Sequence, residues 1–352
     1  MAGYIRSFNI FRFSEKKPIL SIVIVNFNGG ELIVKLVKQI LSMADAPAEL
    51  VIVDNMSSDS SISSIMEMLY TGSVKVSGNI VAVKIVELRK NFGPNIGYNI
   101  GVLLSEASYV MIINNDILFD ENFSMRMLLR AFKRLRRFGV GAVTVKALKM
   151  HDPRLIDTAG TLADRLLYTV EYGSGDREDK PEYSRPYIVS SVPLVFLLMP
   201  RELYLKAGML DSYYFAGYED LDLSLRVQLL GYKLLYLPWF SIFHFRGGTS
   251  GRDEFRPLMA YLFARGYFFN VFSFLRLYSA LFAVIVRLIL VTAQSLVERN
   301  PLRLYLGFIK PFASVMRSRY FGVKRMIVKR LRRGEGKLWL CRGLVLKTLL
   351  ES

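Results

Sequence analysis

Residues 19–25 read Ile-Leu-Ser-Ile-Val-Ile-Val and run straight into Asn26-Phe27-Asn28-Gly29-Gly30. An unbroken apolar run rich in β-branched residues is what a strand covered on both faces requires, and such strands belong to parallel sheets. The Asn/Gly turn ends it. An amphipathic helix is expected next, from about Glu31 to Ser42, with Leu32, Ile33, Leu36, Val37, Ile40 and Leu41 at helical spacing.

The same unit recurs downstream. Glu49–Val53 reads as a second buried strand ending at Asp54-Asn55, and the serines and Asp59 of 57–60 offer caps for another helix. Ile80–Leu88 is a third strand, and the Gly/Asn-rich loop of 91–101 enters a helix. Tyr109–Ile113 is a fourth strand, ending at Asn114-Asn115-Asp116. Strands alternating with helices predict a doubly wound α/β sheet. Beyond it we expect a helix over 118–138, strands at Gly139–Leu148, Val189–Met199 and Lys233–Leu237, a short helix from Pro200 to Gly208 and another over Tyr218–Gly231. The weakly patterned stretch 151–186 reads as loops and short hairpins. The domain reading is an N-terminal extension (1–18), a catalytic domain (19–256) and a helical membrane-associated region (257–352).

Charge supports that division. The chain of 352 residues carries a formal net charge of +17, yet from Arg252 onward there are 19 Lys+Arg against 5 Asp+Glu. A basic segment can meet nucleic acid or an anionic membrane. Here the basic residues are interleaved with Phe, Leu, Ile and Tyr, which favours the membrane surface and argues against a nucleic-acid partner. Tyr278–Leu296 is mostly apolar but holds Arg287 near its middle, so spanning and in-plane readings stay open. The tail Arg317–Lys347 reads as amphipathic surface helix. No cleavable signal is evident within 1–18, and the single cysteine, Cys341, forms no intramolecular disulfide. Both fit a catalytic part at the cytoplasmic face of a membrane.

In an open α/β sheet, ligands bind beyond the carboxyl ends of the strands. Four polar clusters fall there: Asn26/Asn28, Asp54/Asn55, Asn91 to Asn99, and Asn114 to Asp116. Asp54 suits a nucleotide base or ribose, and equally the cap of the next helix. The 91–101 loop offers glycines for close backbone approach and a helix N-terminus for phosphate. Asp116 is placed to hold Mg²⁺ or Mn²⁺ against a diphosphate, since such ions take one or two carboxylates plus phosphate oxygens. Glu219, Asp220 and Asp222 crowd the head of one helix, where acids suit the dipole and one can serve as general base. His244 precedes Arg246-Gly-Gly-Thr-Ser250 and could ligate the metal or touch the diphosphate.

Taken together, SIVIVNFNG, LVIVDNMSSD, NFGPNIGYNIG, INND, YEDLDLSLRVQLLGYKLLYLP and FHFRGGTS resemble family 2 of the inverting glycosyltransferases, which have a GT-A (Rossmann-like) fold. The likeness is to the rhamnosyltransferase-like branch, over roughly residues 19–270. It implies a nucleotide-sugar donor, with Asp54 contacting the base, Asn26 lining its pocket, Gly97 and Asn99 beneath the sugar, and Asp116 as the metal acid. Asp220 would be the catalytic base with Glu219 beside it, and His244 would help bind metal or diphosphate. Asn114 stands where the motif has its first acid. Its carbonyl can still ligate or its amide contact the ribose, but metal binding should weaken. The basic, apolar tail favours a lipid-linked glycan acceptor. A polyprenyl-phosphate sugar synthase and a non-catalytic membrane scaffold on a transferase fold are the alternatives.

Overall fold

The computed structural model describes residues 3–246 and 256–299, together with 302, 305–318, 324 and 328. The loop residues 247–250 and most of the expected tail helices lie outside the described residues.

The strands are β1 (Ile5–Arg12), β2 (Leu20–Asn26), β3 (Ala48–Asp54), β4 (Ile80–Leu88), β5 (Tyr109–Ile113), β6 (Ile117–Phe119), β7 (Val140–Lys149), β8 (Asp152–Thr158), β9 (Thr161–Ala163), β10 (Thr169–Glu171), β11 (Tyr187–Ile188), β12 (Phe196–Pro200) and β13 (Lys233–His244). The helices are α1 (Gly30–Met43), α2 (Ser61–Thr71), α3 (Pro94–Leu104), α4 (Met125–Arg136), α5 (Arg201–Lys206), α6 (Glu219–Leu229), α7 (Arg256–Phe274), α8 (Leu277–Val297) and α9 (Lys310–Met316). One 11-stranded sheet runs β1-β4-β3-β2-β5-β12-β7-β13-β11, with β6 and β8 pairing β13 and β7. Strands β4, β3, β2 and β5 are mutually parallel, as the unbroken apolar runs require. β12 is antiparallel to both its neighbours, so the sheet is mixed.

The order has a mechanical consequence. The chain steps outward from β2 through β3 to β4, then returns to place β5 on the other side of β2. That reversal opens a crevice at the carboxyl ends of β2 and β5. α3 packs over it closely: a Cβ on Gly101 would sit 2.3 Å from Val23 Cγ1, and one on Gly97 would sit 2.8 Å from Val25 Cγ2. The glycines of the 91–101 loop therefore let helix meet strand. Gly97, expected beneath a sugar, faces the β2 side chains instead.

Four expectations change. The helix expected over 118–138 is confined to Met125–Arg136, and Ile117–Phe119 forms β6 against β13. Residues 5–12, expected as a bare extension, form edge strand β1, antiparallel to β4, with one face half-buried and the other exposed. Arg6 and Arg12 point outward, which suits an edge. The expected strand Val189–Met199 is shortened to Phe196–Pro200, because Pro193 interrupts it and Ser190 and Ser191 donate their N–H groups to the Thr161 carbonyl. Conversely, β13 continues past Pro238 to His244 through an irregularity between Leu237 and Ser241. That extension carries His244 to the rim of the crevice.

Candidate active site

The rim is assembled from strand ends. Asn26 and Asp54 are register partners at the tips of β2 and β3. The Asn26 amide donates to Asp54 Oδ1 (3.0 Å), Ser57 Oγ (3.0 Å) and Ser61 Oγ (2.9 Å), and its carbonyl accepts from Asn115 (3.1 Å). Asn115 thus bridges the switch point between β2 and β5. Asp54 is 4% exposed, and both its oxygens are engaged, Oδ1 by Asn26 and Ser57 Oγ, Oδ2 by the Ser57 N–H. This carboxylate pins the turn into α2. Any contact with a base, as the resemblance implied, would have to be made alongside these bonds.

The other asparagines behave similarly. Asn55 donates to Asn91 (2.8 Å) and accepts from the Phe92 N–H (2.9 Å), and Asn91 accepts from the Gly93 N–H (2.9 Å), a clasp that holds the loop ahead of α3. Asn99 donates to the Leu210 carbonyl (2.7 Å) and accepts from Tyr204 (2.6 Å) and the Leu210 N–H (3.0 Å). Its side chain ties α3 to the loop after α5, away from a sugar. A buried amide must find such partners, as Asn26 and Asn55 do, and with Asn91 and Asn99 they shape the crevice.

What faces the opening is a smaller set. Asn114, Asn115 and Asp116 are half-buried. The Asn114 carbonyl accepts from Tyr98 (3.1 Å), so it is engaged in the way a metal-ligating oxygen would have to give up. Burial, and then the charges of Asp116 and Glu219, push the Tyr98 hydroxyl far above its ordinary pKa, so it stays a donor. Asp116 Oδ1 lies 3.2 Å from His244 Nε2. His244 Nδ1 lies 2.7 Å from Asp157 Oδ2, and Asp157 is 1% exposed. Burial works to lower the His244 pKa, but hydrogen bonds to Asp116 and Asp157 outweigh it and hold it up at about 9. Arg246 Nε is 3.4 Å from Asp157 Oδ1 and also pairs with Glu171 at the end of β10.

The acids of α6 complete the site. Tyr218, which precedes the helix, is held at φ 70°, a left-handed conformation that a tyrosine adopts only when its surroundings enforce it. α7 enforces it: Asn270 donates to the Tyr218 carbonyl (3.1 Å), and a Cβ on Gly266 would lie 2.5 Å from the Gly217 carbonyl. The bend presents Glu219 and Asp220, both half-buried. Burial, then the Asp220 charge, raises the Glu219 pKa, and burial raises that of Asp220, with Glu171 adding to it. Residual water at each carboxylate moderates both rises. Asp222 turns the other way, to Arg226 Nη2 (2.6 Å) and Lys324 Nζ (2.7 Å), fully buried. It belongs to the scaffold.

The structure therefore links Asn26, Asp54, Asn114, Asp116, His244, Glu219 and Asp220 through one run of contacts and charges. Asn115 and Arg246, named in the sequence only as members of their clusters, belong to it as well; Asp157, Glu171 and Tyr98 were missed, Asp157 because 87 residues separate it from His244 and nothing in the local pattern joins them. Among the described residues no cluster of three or more His, Cys, Asp or Glu could hold a metal unaided. Asp116 with His244, once the imidazole gives up its Nε2 proton, suits a cation that takes most of its oxygens from a diphosphate, and the Asp157–His244 bond is the orienting partner such a histidine needs.

The mixed, mostly parallel sheet with its flanking helices is a GT-A-like fold. Residues 21–174 match the family model Glycosyl transferase family 2. The poly-beta-1,6-N-acetyl-D-glucosamine synthase of Staphylococcus epidermidis is 24% identical over 219 residues, 62% of this chain and 48% of the synthase. The solved mannosyltransferase of Pyrobaculum calidifontis, in complex with GDP-Man and Mn²⁺, is similar at TM-score 0.51 and 16% identity, over 91% of this chain and 90% of that one. GalNAc-T7 with UDP, GalNAc and Mn²⁺ is similar at TM-score 0.56 and 15% identity, over 76% and 50%. The chain spans 26% and 48% of the lengths of the curated relatives it matches.

Proposed function

We propose that the chain moves a sugar, with inversion, from a nucleoside-diphosphate donor to a hydroxyl of a lipid-linked glycan at the cytoplasmic face of a membrane. The observation that carries this is the half-buried Glu219/Asp220 pair, linked through Tyr98 and Glu171 to the rim that holds Asp116 and His244. A carboxylate with a raised pKa next to a diphosphate site is what a general base for a hydroxyl needs. A calorimetric screen of nucleoside diphosphates and their sugars, with and without Mn²⁺, tests donor class. No heat with any of them would remove the reading.

In the proposed reaction, Asp220 accepts the proton as the acceptor hydroxyl attacks the anomeric carbon from the face opposite the diphosphate. Glu219 holds the acid pair's shared charge close to Tyr98 and Asp116. Asp116 and His244 would hold a divalent cation, which offsets negative charge growing on the leaving diphosphate. Asp157 fixes the His244 ring so that Nε2 faces Asp116. The Asn26–Asn115 bridge and the Asn55–Asn91 clasp keep the crevice open.

Two results follow. Asp116→Ala should weaken the binding of donor and of Mn²⁺ together, each by about 10- to 100-fold. Donor affinity that is the same for wild type and variant, with and without chelator, would exclude Asp116 from that role. Asp157→Ala should loosen Mn²⁺ binding by about 10-fold while leaving the acidic limb of the rate profile where it was. A shifted limb with unchanged metal affinity would point to a role at the base instead.

A further inference from the structure

By length and composition α8 could cross a membrane: its mean hydropathy reaches 2.2, and only 22% of that window is buried. Its packing shows how it sits. The inward stripe is Ala280, Ala283, Val291 and Ser295, and Arg287 falls on the same stripe at the helix midpoint. The Arg287 guanidinium lies 5.4 Å from the centre of the Tyr267 ring and donates to the Gly307 carbonyl at 3.4 Å. Tyr267, on α7, is fully buried, with its ring 4.8 Å from that of Tyr168 and 5.9 Å from that of Tyr218. Tyr168 leads into β10 and its Glu171–Arg246 pair, and Tyr218 leads into the acid pair.

The middle of α8 is thus docked beneath the active site. In a helix that crosses a bilayer, the midpoint lies at the centre of a hydrocarbon layer about 30 Å thick. Tyr168, Tyr218 and the charges next to them would be carried into that layer, where uncompensated charge is strongly disfavoured.

We propose that α8 lies in the plane of an anionic membrane, as an interfacial platform under the catalytic centre. Its outward residues Leu281, Phe282, Ile285, Leu288 and Ile289 are 41–62% exposed and form the inserting face. Lipid is the occupant because 19 basic against 5 acidic residues from Arg252 onward complement anionic headgroups. α7 joins the platform to the acid pair, with Tyr267 meeting Arg287 and Asn270 bonding the Tyr218 carbonyl just ahead of Glu219. The reacting hydroxyl therefore belongs to a sugar close to the headgroup, as in a short lipid-linked acceptor. This last step rests on the proposed function, whereas the lie of α8 does not.

The full chain carrying Cys341→Ser, with single spin labels at Phe282→Cys, Ile289→Cys or Leu296→Cys, is bound to phosphatidylglycerol/phosphatidylcholine vesicles and label depth is measured. Equal, shallow depth at all three positions, reachable from the outer side alone, is the expected result. A label at 289 near the bilayer centre with 282 and 296 in opposite leaflets would overturn it. So would labels that stay in water, or that become buried without lipid through self-association. Ile285→Asp with Ile289→Asp should lower vesicle partitioning by about tenfold or more while leaving UDP and GDP binding unchanged. Calorimetry with those nucleotides on the same variants reports the transferase reading separately.

Discussion

Asp220→Asn is expected to leave donor binding intact while transfer falls by about 10²–10⁴-fold, the usual contribution of a positioned general base. The substitution keeps the geometry, because Asp220 Oδ1 accepts the Leu221 N–H at 2.7 Å and an asparagine oxygen can do the same. It removes only the ability to take a proton. The pH dependence adds a second signature. Burial raises the Asp220 pKa, so the active, ionised base is lost as pH falls through a value above the usual aspartate range near 3.9. The acidic limb of kcat/KM should therefore lie above that range. Glu219→Gln should leave the limb in place, with a smaller loss of rate, because burial and the Asp220 charge raise Glu219 while burial and Glu171 are what raise Asp220. Stability should move the opposite way. A carboxyl whose folded pKa is raised favours the folded state while protonated, and this contribution disappears as pH rises through the folded value. At neutral pH both variants should melt at or above the wild-type temperature. Wild-type turnover in Asp220→Asn would remove Asp220 as base, and a collapse in donor affinity would recast it as a binding residue.

The two halves of this site differed in how visible they were in the chain. β2, β3, β4 and β5 were legible within a residue or two because strands covered on both faces must be apolar throughout, and few other elements are. The position of the crevice followed from their order. The direction of each polar side chain did not follow. Asp54, Asn55 and Asn99 sit in motif positions that suggest ligand contact, but each is closed by partners 3 to 111 residues away. Whether an amide at a strand tip faces a ligand or a neighbouring loop depends on that long-range closure. β1 was missed for a related reason: an edge strand buries only half its face, and its alternation is masked by Phe8 and Ile10 on the exposed face and Ser7 and Asn9 on the inner one. The extension of β13 to His244 was hidden by Pro238, which reads as a stop but sits at an irregularity in the strand.

The third acid of α6 carries the other large expectation. Asp222→Ala should destabilise the protein by about 3–5 kcal/mol, the range for removing one member of a buried ion pair. Asp222 is fully buried and receives Arg226 Nε at 3.0 Å and Nη2 at 2.6 Å, with Lys324 Nζ at 2.7 Å from its other oxygen. Lys324 also reaches Asp211 at 2.8 Å, and Arg226 donates to the Ala207 carbonyl. Removing the carboxylate would leave the Arg226 guanidinium, 2% exposed, without its charge partner. Burial raises the Asp222 pKa, but Arg226 and Lys324 outweigh it, so the folded value is lowered. The pair's contribution is then complete above the unfolded aspartate pKa and fades only as pH falls through the lower folded value. Denaturant unfolding of wild type and Asp222→Ala should show a constant gap from pH 8 to 5 that narrows only in stronger acid. Asp222→Asn should recover part of it, since an amide oxygen can still accept from Arg226. Residues 219, 220 and 222 thus divide one helix terminus by direction. Two acids kept short of counter-ions are left to hold and release protons, and a third with two counter-ions fastens the helix that aims them. A small or absent gap for Asp222→Ala would mean that the cluster is not closed, and that Lys324 does not tie the basic C-terminal segment to the catalytic helix.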